Sequence, residues 1–272
     1  MDPIKELIDN AEDRIQQVSA PLKPYLPVIA RILLVITFYE DSLRIMFQWY
    51  EQNQYLTRYR HFLPYTSEPF LILIVASMLI CSTLAVRKQY TEQAVAGLIA
   101  VIILQYLAYG MIFNLKFILY NVSIIGGLFM LVAEKMLSER KKIFAGLPNF
   151  TQNDKSTYIQ LAGRILLVLI FISFIFAGEM TITRAIVSVF GLVACVMVAI
   201  GFRAKSSALF LVLLLSVMNV FINNWWSLQP HHFERDHIKF DFFQTLSTVG
   251  GFLLLASVGP GGISVDEKKK AY

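Results

Sequence analysis

The chain has 272 residues, of which 56% are hydrophobic and only 16% are charged. Soluble domains have about 45–50% apolar and about 25% charged residues, so this composition predicts a membrane protein. In such a chain the net charge of +5 points to membrane orientation before nucleic-acid binding. Cys81 and Cys195 both lie in long apolar runs, so they form no disulfide framework.

The N-terminal segment 1–25 is polar and acidic and lacks the basic and apolar regions of a cleavable signal peptide. Its apolar residues recur at helical spacing, which predicts an amphipathic cytosolic helix lying on the membrane or against the bundle. These apolar residues are Ile4, Leu7, Ile8, Ala11, Ile15 and Val18.

Eight later stretches are apolar over roughly the length that crosses a bilayer, which takes about 20 residues. Prolines fall outside or at the edges of these stretches, as expected for residues that interrupt helices. The predicted spans cover residues 26–47, 69–86, 93–113, 115–133, 159–178, 185–201, 207–226 and 240–258.

Two pairs of matching segments indicate an internal repeat. ARILLVITF at 30–38 matches GRILLVLIF at 163–171, and LKFILYNVSIIGGLFML at 115–131 matches IKFDFFQTLSTVGGFLLL at 238–255 with one inserted residue. Each unit holds four spans, and an even number of spans makes the repeat parallel. The matching helices also carry glycine pairs, which favour close approach of helix backbones.

The sequence therefore predicts an all-α polytopic membrane protein with eight transmembrane helices, arranged as two parallel four-helix repeats. The first repeat covers 26–133 and the second covers 159–258, and the polar stretch 134–158 joins them as a cytosolic linker. The tail, 259–272, follows the last span.

The distribution of basic residues predicts which side the tail occupies. With a cytosolic N-terminus, fifteen lysines and arginines lie on the cytosolic side, six lie on the other side and three lie within spans. Loops rich in lysine and arginine stay in the cytosol. Both termini are therefore predicted to be cytosolic.

Lys269 and Lys270 stand fourth and third from the carboxyl end, with Lys268 before them. This dilysine arrangement is typical of a return signal that the COPI coat reads on vesicles from the Golgi to the endoplasmic reticulum. The alternative is that the lysines only fix topology or contact anionic lipid, at about 1 kcal/mol each. An exposed cytosolic end on a polytopic protein favours the signal.

Several segments resemble the surfeit locus protein 4 family, whose fungal relatives are cargo receptors of endoplasmic-reticulum vesicles. They are RILLVITFYEDSLRIMFQW (31–49), FAGLP (144–148), VAIGFRAK (198–205), KFDFFQT (239–245) and GPGGISVDEKKKAY (259–272). The similarity extends over nearly the whole chain after about residue 10.

The resemblance implies a receptor of the endoplasmic-reticulum membrane, the intermediate compartment and the cis-Golgi. It would bind soluble secretory proteins in the lumen, near their exposed N-termini, and load them into COPII vesicles through cytosolic loops such as 134–158. It implies no enzymatic activity and no cofactor, and the dilysine signal carries over onto Lys269 and Lys270.

Glu40, Asp41 and Arg44 form the densest group of charges within a span. Glu40 and Arg44 are four residues apart on one helical face, which predicts an ion pair and leaves Asp41 facing elsewhere. Our hypothesis is that Asp41, with Glu40 and Asp241, binds the ammonium group of a cargo N-terminus at the lumenal mouth. The alternative is that these carboxylates pair with Arg44, Lys239 or helix ends.

Arg31 and Arg164 occupy matching repeat positions and are expected to extend toward headgroups or to bond helix carbonyls. Amide side chains within the spans are expected to hydrogen-bond between helices. They are Gln105, Asn121, Asn219, Asn223, Asn224 and Gln244.

The segment HHFERDH holds His231, His232 and His237, and His61 is the fourth histidine. Its spacing matches no strong zinc signature, so no metal site is predicted. Histidines could instead sense the pH difference between the endoplasmic reticulum and the Golgi.

Two other functions stay open from the residues alone. A small-molecule or lipid transporter of the early secretory pathway would use the repeats and the polar groups, but we find no interrupted span. A membrane enzyme would need a nucleophile, a metal or an acid–base pair, and none stands out.

Overall fold

A computed structural model describes residues 25–63, 65–110, 115–143, 154–176, 182–229, 234–259 and 261–270. The regular elements in these ranges are helices, and no strand occurs among them. The predicted N-terminal helix, residues 144–153 of the predicted linker and the last two residues lie outside the described residues. The rest of the predicted linker, 134–143 and 154–158, continues the neighbouring helices.

Ten α-helices make up the described chain, with one π-helical turn at Tyr55–Tyr59 and one 3-10 turn at Trp225–Ser227. The α-helices are α1 (Leu26–Phe47), α2 (Trp49–Gln54), α3 (Ser67–Val86), α4 (Thr91–Tyr109), α5 (Leu115–Ile143), α6 (Asp154–Phe176), α7 (Ile182–Ile200), α8 (Ala204–Ile222), α9 (Arg235–Val258) and α10 (Val265–Lys270).

Proline and glycine lie at three of the helix boundaries described below. Pro27 lies in the first turn of α1, where its missing amide hydrogen breaks no helical bond. α4 and α9 end at Gly110 and Gly259, which adopt φ values of +67° and +96°. Residues with a Cβ rarely adopt these values, so glycine allows the chain to leave both helices.

Five described helices are long and apolar enough to cross a membrane, which confirms the predicted all-α polytopic class. They are Ser67–Val86, Thr91–Tyr109, Phe117–Glu139, Ala204–Ser227 and Arg235–Val258. α1 has the necessary length, but four of its 22 residues are charged. The predicted number of eight spans therefore stays a prediction.

The order of helix neighbours in the first half recurs in the second. α1 packs on α3, α3 on α4 and α4 on α5, and likewise α6 packs on α7, α7 on α8 and α8 on α9. The halves are joined at the centre, where α1 packs along α9, α5 packs along α6, and α5 contacts α9. α5 and α9 are mostly buried, whereas α3, α4 and α8 expose most of their apolar residues.

The predicted glycine pairs lie at the contacts between the halves. A Cβ built on Gly250 would lie 2.4 Å from the amide nitrogen of Leu34 and 2.7 Å from the carbonyl oxygen of Ala30. A Cβ on Gly127 would lie 3.3 Å from the Cα of Gly251. Only glycine permits α9 to approach α1 this closely, because the atoms that a side chain would meet are backbone atoms.

We predict that Gly250→Ala destabilises the bundle by about 1–3 kcal/mol, because the added methyl group must force α1 and α9 apart. Thermal unfolding of the purified protein in detergent measures the change. Ala100→Val adds apolar volume at an exposed position of α4 and is the control. An unchanged midpoint for Gly250→Ala would contradict the close contact.

Candidate functional site

A cavity with a largely apolar wall and several charged groups lies at the end of the bundle where α1 ends and α9 begins. Its volume is about 350 Å³, and α1, α4, α5 and α9 all contribute to its wall. We call it the acidic cavity, because three carboxylates line it against one arginine and one histidine. Its polar lining is Thr37, Asp41, Arg44, Gln105, Tyr109, Tyr120, Asn121, Asp236, His237, Asp241 and Gln244.

Asp41 is held in the wall of this cavity by two neighbours. Its Oδ1 forms an ion pair with Arg44, and its Oδ2 accepts a hydrogen bond of 2.5 Å from Nε2 of Gln105. The guanidinium of Arg44 also lies 5.4 Å from the ring centre of Phe240 on α9. Asp41 is only 6% exposed, so these contacts compensate a nearly buried charge.

The ion pairs differ from the expected Glu40–Arg44 pair. Arg44 pairs with Asp41, three residues earlier, while Oε1 of Glu40 lies 3.2 Å from Nζ of Lys239 on α9. The physical reason is the packing of α9 along α1, which brings the Lys239 ammonium to the side of α1 that carries Glu40. Asp41 therefore has an ion-pair partner, whereas the argument from one helix left it without one. The observed pairs agree with the alternative given above, in which the carboxylates pair with Arg44 and Lys239.

Asp241 lies in the same cavity as Asp41. It is 6% exposed, and its Oδ2 lies 4.0 Å from Nε2 of His237, one turn earlier in α9. Glu40 lines a different space, a groove of about 310 Å³ between α1 and α9. Of the three sequence candidates, the structure thus brings together Asp41 and Asp241, while Glu40 lies apart from them.

The apolar wall of the cavity was missed by the sequence analysis. Phe117 of α5 and Phe240 of α9 stack with ring centres 6.0 Å apart, and both line the cavity. They are repeat equivalents, and so are Asn121 and Gln244, which also line it. In the sequence, the matching of these two pairs was the signal that could have suggested a shared cavity.

The described histidines are not clustered. His237 faces Asp241, whereas His61 is exposed in the loop before α3. His231 and His232 lie outside the described residues. Within the part of the chain that the structure describes, no group of three His, Cys, Asp or Glu residues could hold a metal ion.

At the opposite end of the bundle, Arg31 forms a buried ion pair that the sequence analysis did not predict. Its Nε and Nη2 donate to the two carboxylate oxygens of Glu134 on α5, at 3.0 and 2.9 Å. Nζ of Lys88 lies 2.8 Å from the same carboxylate. Arg31 therefore does not extend toward headgroups, because a partner 103 residues away reaches it inside the bundle. Its Nη1 also donates to the carbonyl oxygen of Val86 at 3.5 Å, which agrees with the expected bond to a helix carbonyl.

The C-terminal segment packs on this same end. Arg164, fully buried, donates to the carbonyl oxygen of Ile263 at 2.6 Å. The carboxylate of Asp266 accepts bonds from the backbone amides of Arg203 and Ala204, at 2.8 and 3.0 Å. It thus caps the start of α8 from outside that helix. We call residues 261–267 the docked tail, and the three lysines follow it in α10.

The class that this fold defines is a polytopic helical membrane protein, with an acidic cavity at one end of the bundle and a docked tail at the other. A family model described as SURF4 family matches residues 5–272. The chain belongs to that family, which confirms the resemblance seen in the sequence. The family is not one of enzymes.

Several relatives match almost the whole chain. A surfeit locus protein 4 homolog of Schizosaccharomyces pombe is 43% identical over 96% of this chain and 87% of its own length. A Drosophila melanogaster homolog is 37% identical over 98% of both chains. The ER-derived vesicles protein ERV29 of Saccharomyces cerevisiae is 39% identical over 99% of this chain and 83% of its own. No solved structure matches significantly.

We predict that Asp266→Ala loosens the docked tail, because the first amides of α8 lose their acceptors at a cost of about 1 kcal/mol. Hydrogen exchange at Arg203 and Ala204 should become several-fold faster, with little change in α9. Glu267→Gln alters the neighbouring, exposed carboxylate and is the control. Unchanged exchange in Asp266→Ala would contradict the capping role.

Proposed function

We propose that this chain is a cargo receptor that cycles between the endoplasmic reticulum and the Golgi. It binds soluble secretory proteins in the lumen and loads them into COPII vesicles, and it returns in COPI vesicles. Membership of the family supports a role in vesicle traffic, since a relative 39% identical to this chain is named an ER-derived vesicles protein.

The observation that carries the proposal is the acidic cavity. The distribution of lysine and arginine predicts that the end of α1 and the start of α9 lie on the lumenal side. A lumenal cavity lined by Asp41, Asp236 and Asp241 suits a cationic group. A volume of about 350 Å³ admits the first residues of a peptide but no folded domain.

The ligand that fits is the N-terminus of the cargo. Its ammonium group offers three donors, and each carboxylate oxygen of Asp41 keeps a free lone pair beside its present bond. Asp241 faces the same space from α9. The stacked Phe117 and Phe240 would contact the apolar side chains that follow the ammonium group. Glu40 lies outside this cavity, so the proposal rests on Asp41 and Asp241.

The cytosolic contacts follow from the other end of the bundle. Lys269 and Lys270, with Lys268, come directly after the docked tail, which would hold the dilysine signal close to the membrane for the COPI coat. Contact with the COPII coat is proposed for cytosolic loops, including 134–158. Lumenal cargo cannot reach either coat itself, so the receptor provides the connection.

We predict that acetylating the N-terminus of a cargo peptide weakens its binding at least about tenfold, since it removes a charge-assisted contact of about 1.5–3 kcal/mol. Binding of free and acetylated peptide to the purified protein in nanodiscs measures the effect. Equal affinities would contradict recognition of the ammonium group. Transport of a small molecule or lipid by the protein in liposomes, without cargo binding, would support the transporter instead.

Substitutions locate this effect in the cavity. Asp241→Asn and Asp41→Asn should each reduce the preference for the free N-terminus, whereas Glu51→Gln, an exposed carboxylate on α2, should not. Asp41→Asn also weakens the contact with Arg44, so its thermal unfolding must be measured alongside. A folded Asp241→Asn variant with full preference would remove Asp241 from the site.

We predict that replacing Lys269 and Lys270 by serine shifts the protein from the endoplasmic reticulum to the Golgi and beyond, because the coat loses both ammonium contacts. Fluorescence microscopy with compartment markers measures the shift. The matched control makes the same serine replacements at Arg87 and Lys155. This removes two exposed positive charges that are also predicted to lie on the cytosolic side. An equal shift in the control would show that charge, and not the motif, sets the location.

A further inference from the structure

The groove between α1 and α9 is separate from the acidic cavity and has its own charged pair. Glu40 lines it from α1 and Lys239 lines it from α9. The apolar side chains of Ile36, Leu43 and Phe243 line it too, and it shares Arg44 and Asp236 with the acidic cavity. We call this space the α1–α9 groove.

Glu40 is buried in this groove with unused bonding capacity. It is 5% exposed, and neither of its carboxylate oxygens accepts a hydrogen bond from the described part of the chain. Lys239 is its ion-pair partner at 3.2 Å, and this single contact leaves other acceptor positions of the carboxylate unfilled by the described residues. A carboxylate has about four acceptor positions, and leaving them empty away from water is costly.

The groove opens toward the surface that faces lipid. Leu43 is 49% exposed, and Phe47, at the end of α1, is 86% exposed. Exposed apolar residues on the outside of a membrane bundle contact acyl chains. At the end of the groove, Nε2 of Gln48 donates to Oδ2 of Asp236 at 2.6 Å, which connects α1 to α9.

Both charges lie within about two turns of a helix end. At 1.5 Å per residue, Glu40 is about 10 Å from the end of α1 and Lys239 is about 6 Å from the start of α9. The headgroup layer on each side of a bilayer is about 5–8 Å thick, so a headgroup at the helix ends would be close to both charges. Lys239 is about one-third exposed, so its ammonium can reach a second group outside the groove.

We propose that the α1–α9 groove binds a phospholipid with a primary-amine headgroup, such as phosphatidylethanolamine. Its ammonium group donates hydrogen bonds to the free acceptor positions of Glu40, its phosphate contacts Lys239, and an acyl chain lies along Leu43 and Phe243. A zwitterion fits because the groove carries charges of both signs in equal number, Glu40 and Asp236 against Arg44 and Lys239. A choline headgroup has no N–H donor for Glu40, and an anionic glycerol headgroup has no cation.

The experiment titrates the full-length purified protein with single lipids and counts bound lipid by native mass spectrometry. Dioleoyl phosphatidylethanolamine, its N-methylated and N,N-dimethylated forms, phosphatidylcholine and phosphatidylglycerol are compared. We expect affinity to fall stepwise as N–H donors are lost, to about tenfold weaker for phosphatidylcholine. Equal affinities, or tighter binding of phosphatidylglycerol, would overturn the proposal. This series needs no variant.

Glu40→Gln should abolish the preference for the amine headgroup, while Glu51→Gln should keep it. A folded Glu40→Gln variant that still prefers the amine would also overturn the proposal. Lipid affinity is measured without peptide, and peptide affinity depends on the other cavity. Failure of either proposal is therefore visible separately from failure of the other.

Discussion

The close packing of α9 along α1 is the contact on which the rest of the molecule depends. Gly250 lets the two backbones touch, and this places Lys239 beside Glu40 and Phe240 beside Arg44. α1 opens the first half of the chain and α9 closes the second, so one contact joins both halves. It also forms two spaces on either side of α1, the acidic cavity and the α1–α9 groove, and Arg44 lines both.

At the other end of the bundle, two buried arginines at matching positions have different hydrogen-bond acceptors. Arg31 and Arg164 are repeat equivalents, and both are buried. In the first half Arg31 meets the carboxylate of Glu134. In the second half the tail supplies the oxygen of Ile263 to Arg164. A buried guanidinium needs acceptors, which gives the docked tail a structural reason to stay on the bundle.

The sequence predicted the helical class and the close glycine contacts, because apolar length and repeat matching are local properties. It did not predict Glu134 as the partner of Arg31, and it gave pairing of the carboxylates with Arg44 and Lys239 only as an alternative to carboxylates that bind cargo. Glu134 is 103 residues from Arg31 in the sequence. Glu40 pairs with Lys239 of another helix instead of with Arg44 of its own helix. Both ion pairs therefore depend on which helices pack together. Spacing along one helix identifies residues that can meet, but a neighbouring helix decides which of them do.

The charges of the acidic cavity break the repeat symmetry of its wall. Phe117 matches Phe240, and Asn121 matches Gln244, but Asp241 matches Ile118. The counterpart of Asp41 in the second half is Phe174. The matching positions therefore supply a paired apolar and amide lining, while α1 and α9 alone supply the three carboxylates. Because these carboxylates have no acidic counterparts at the matching positions, the cavity has one acidic side, and a cationic ligand would meet it in one orientation.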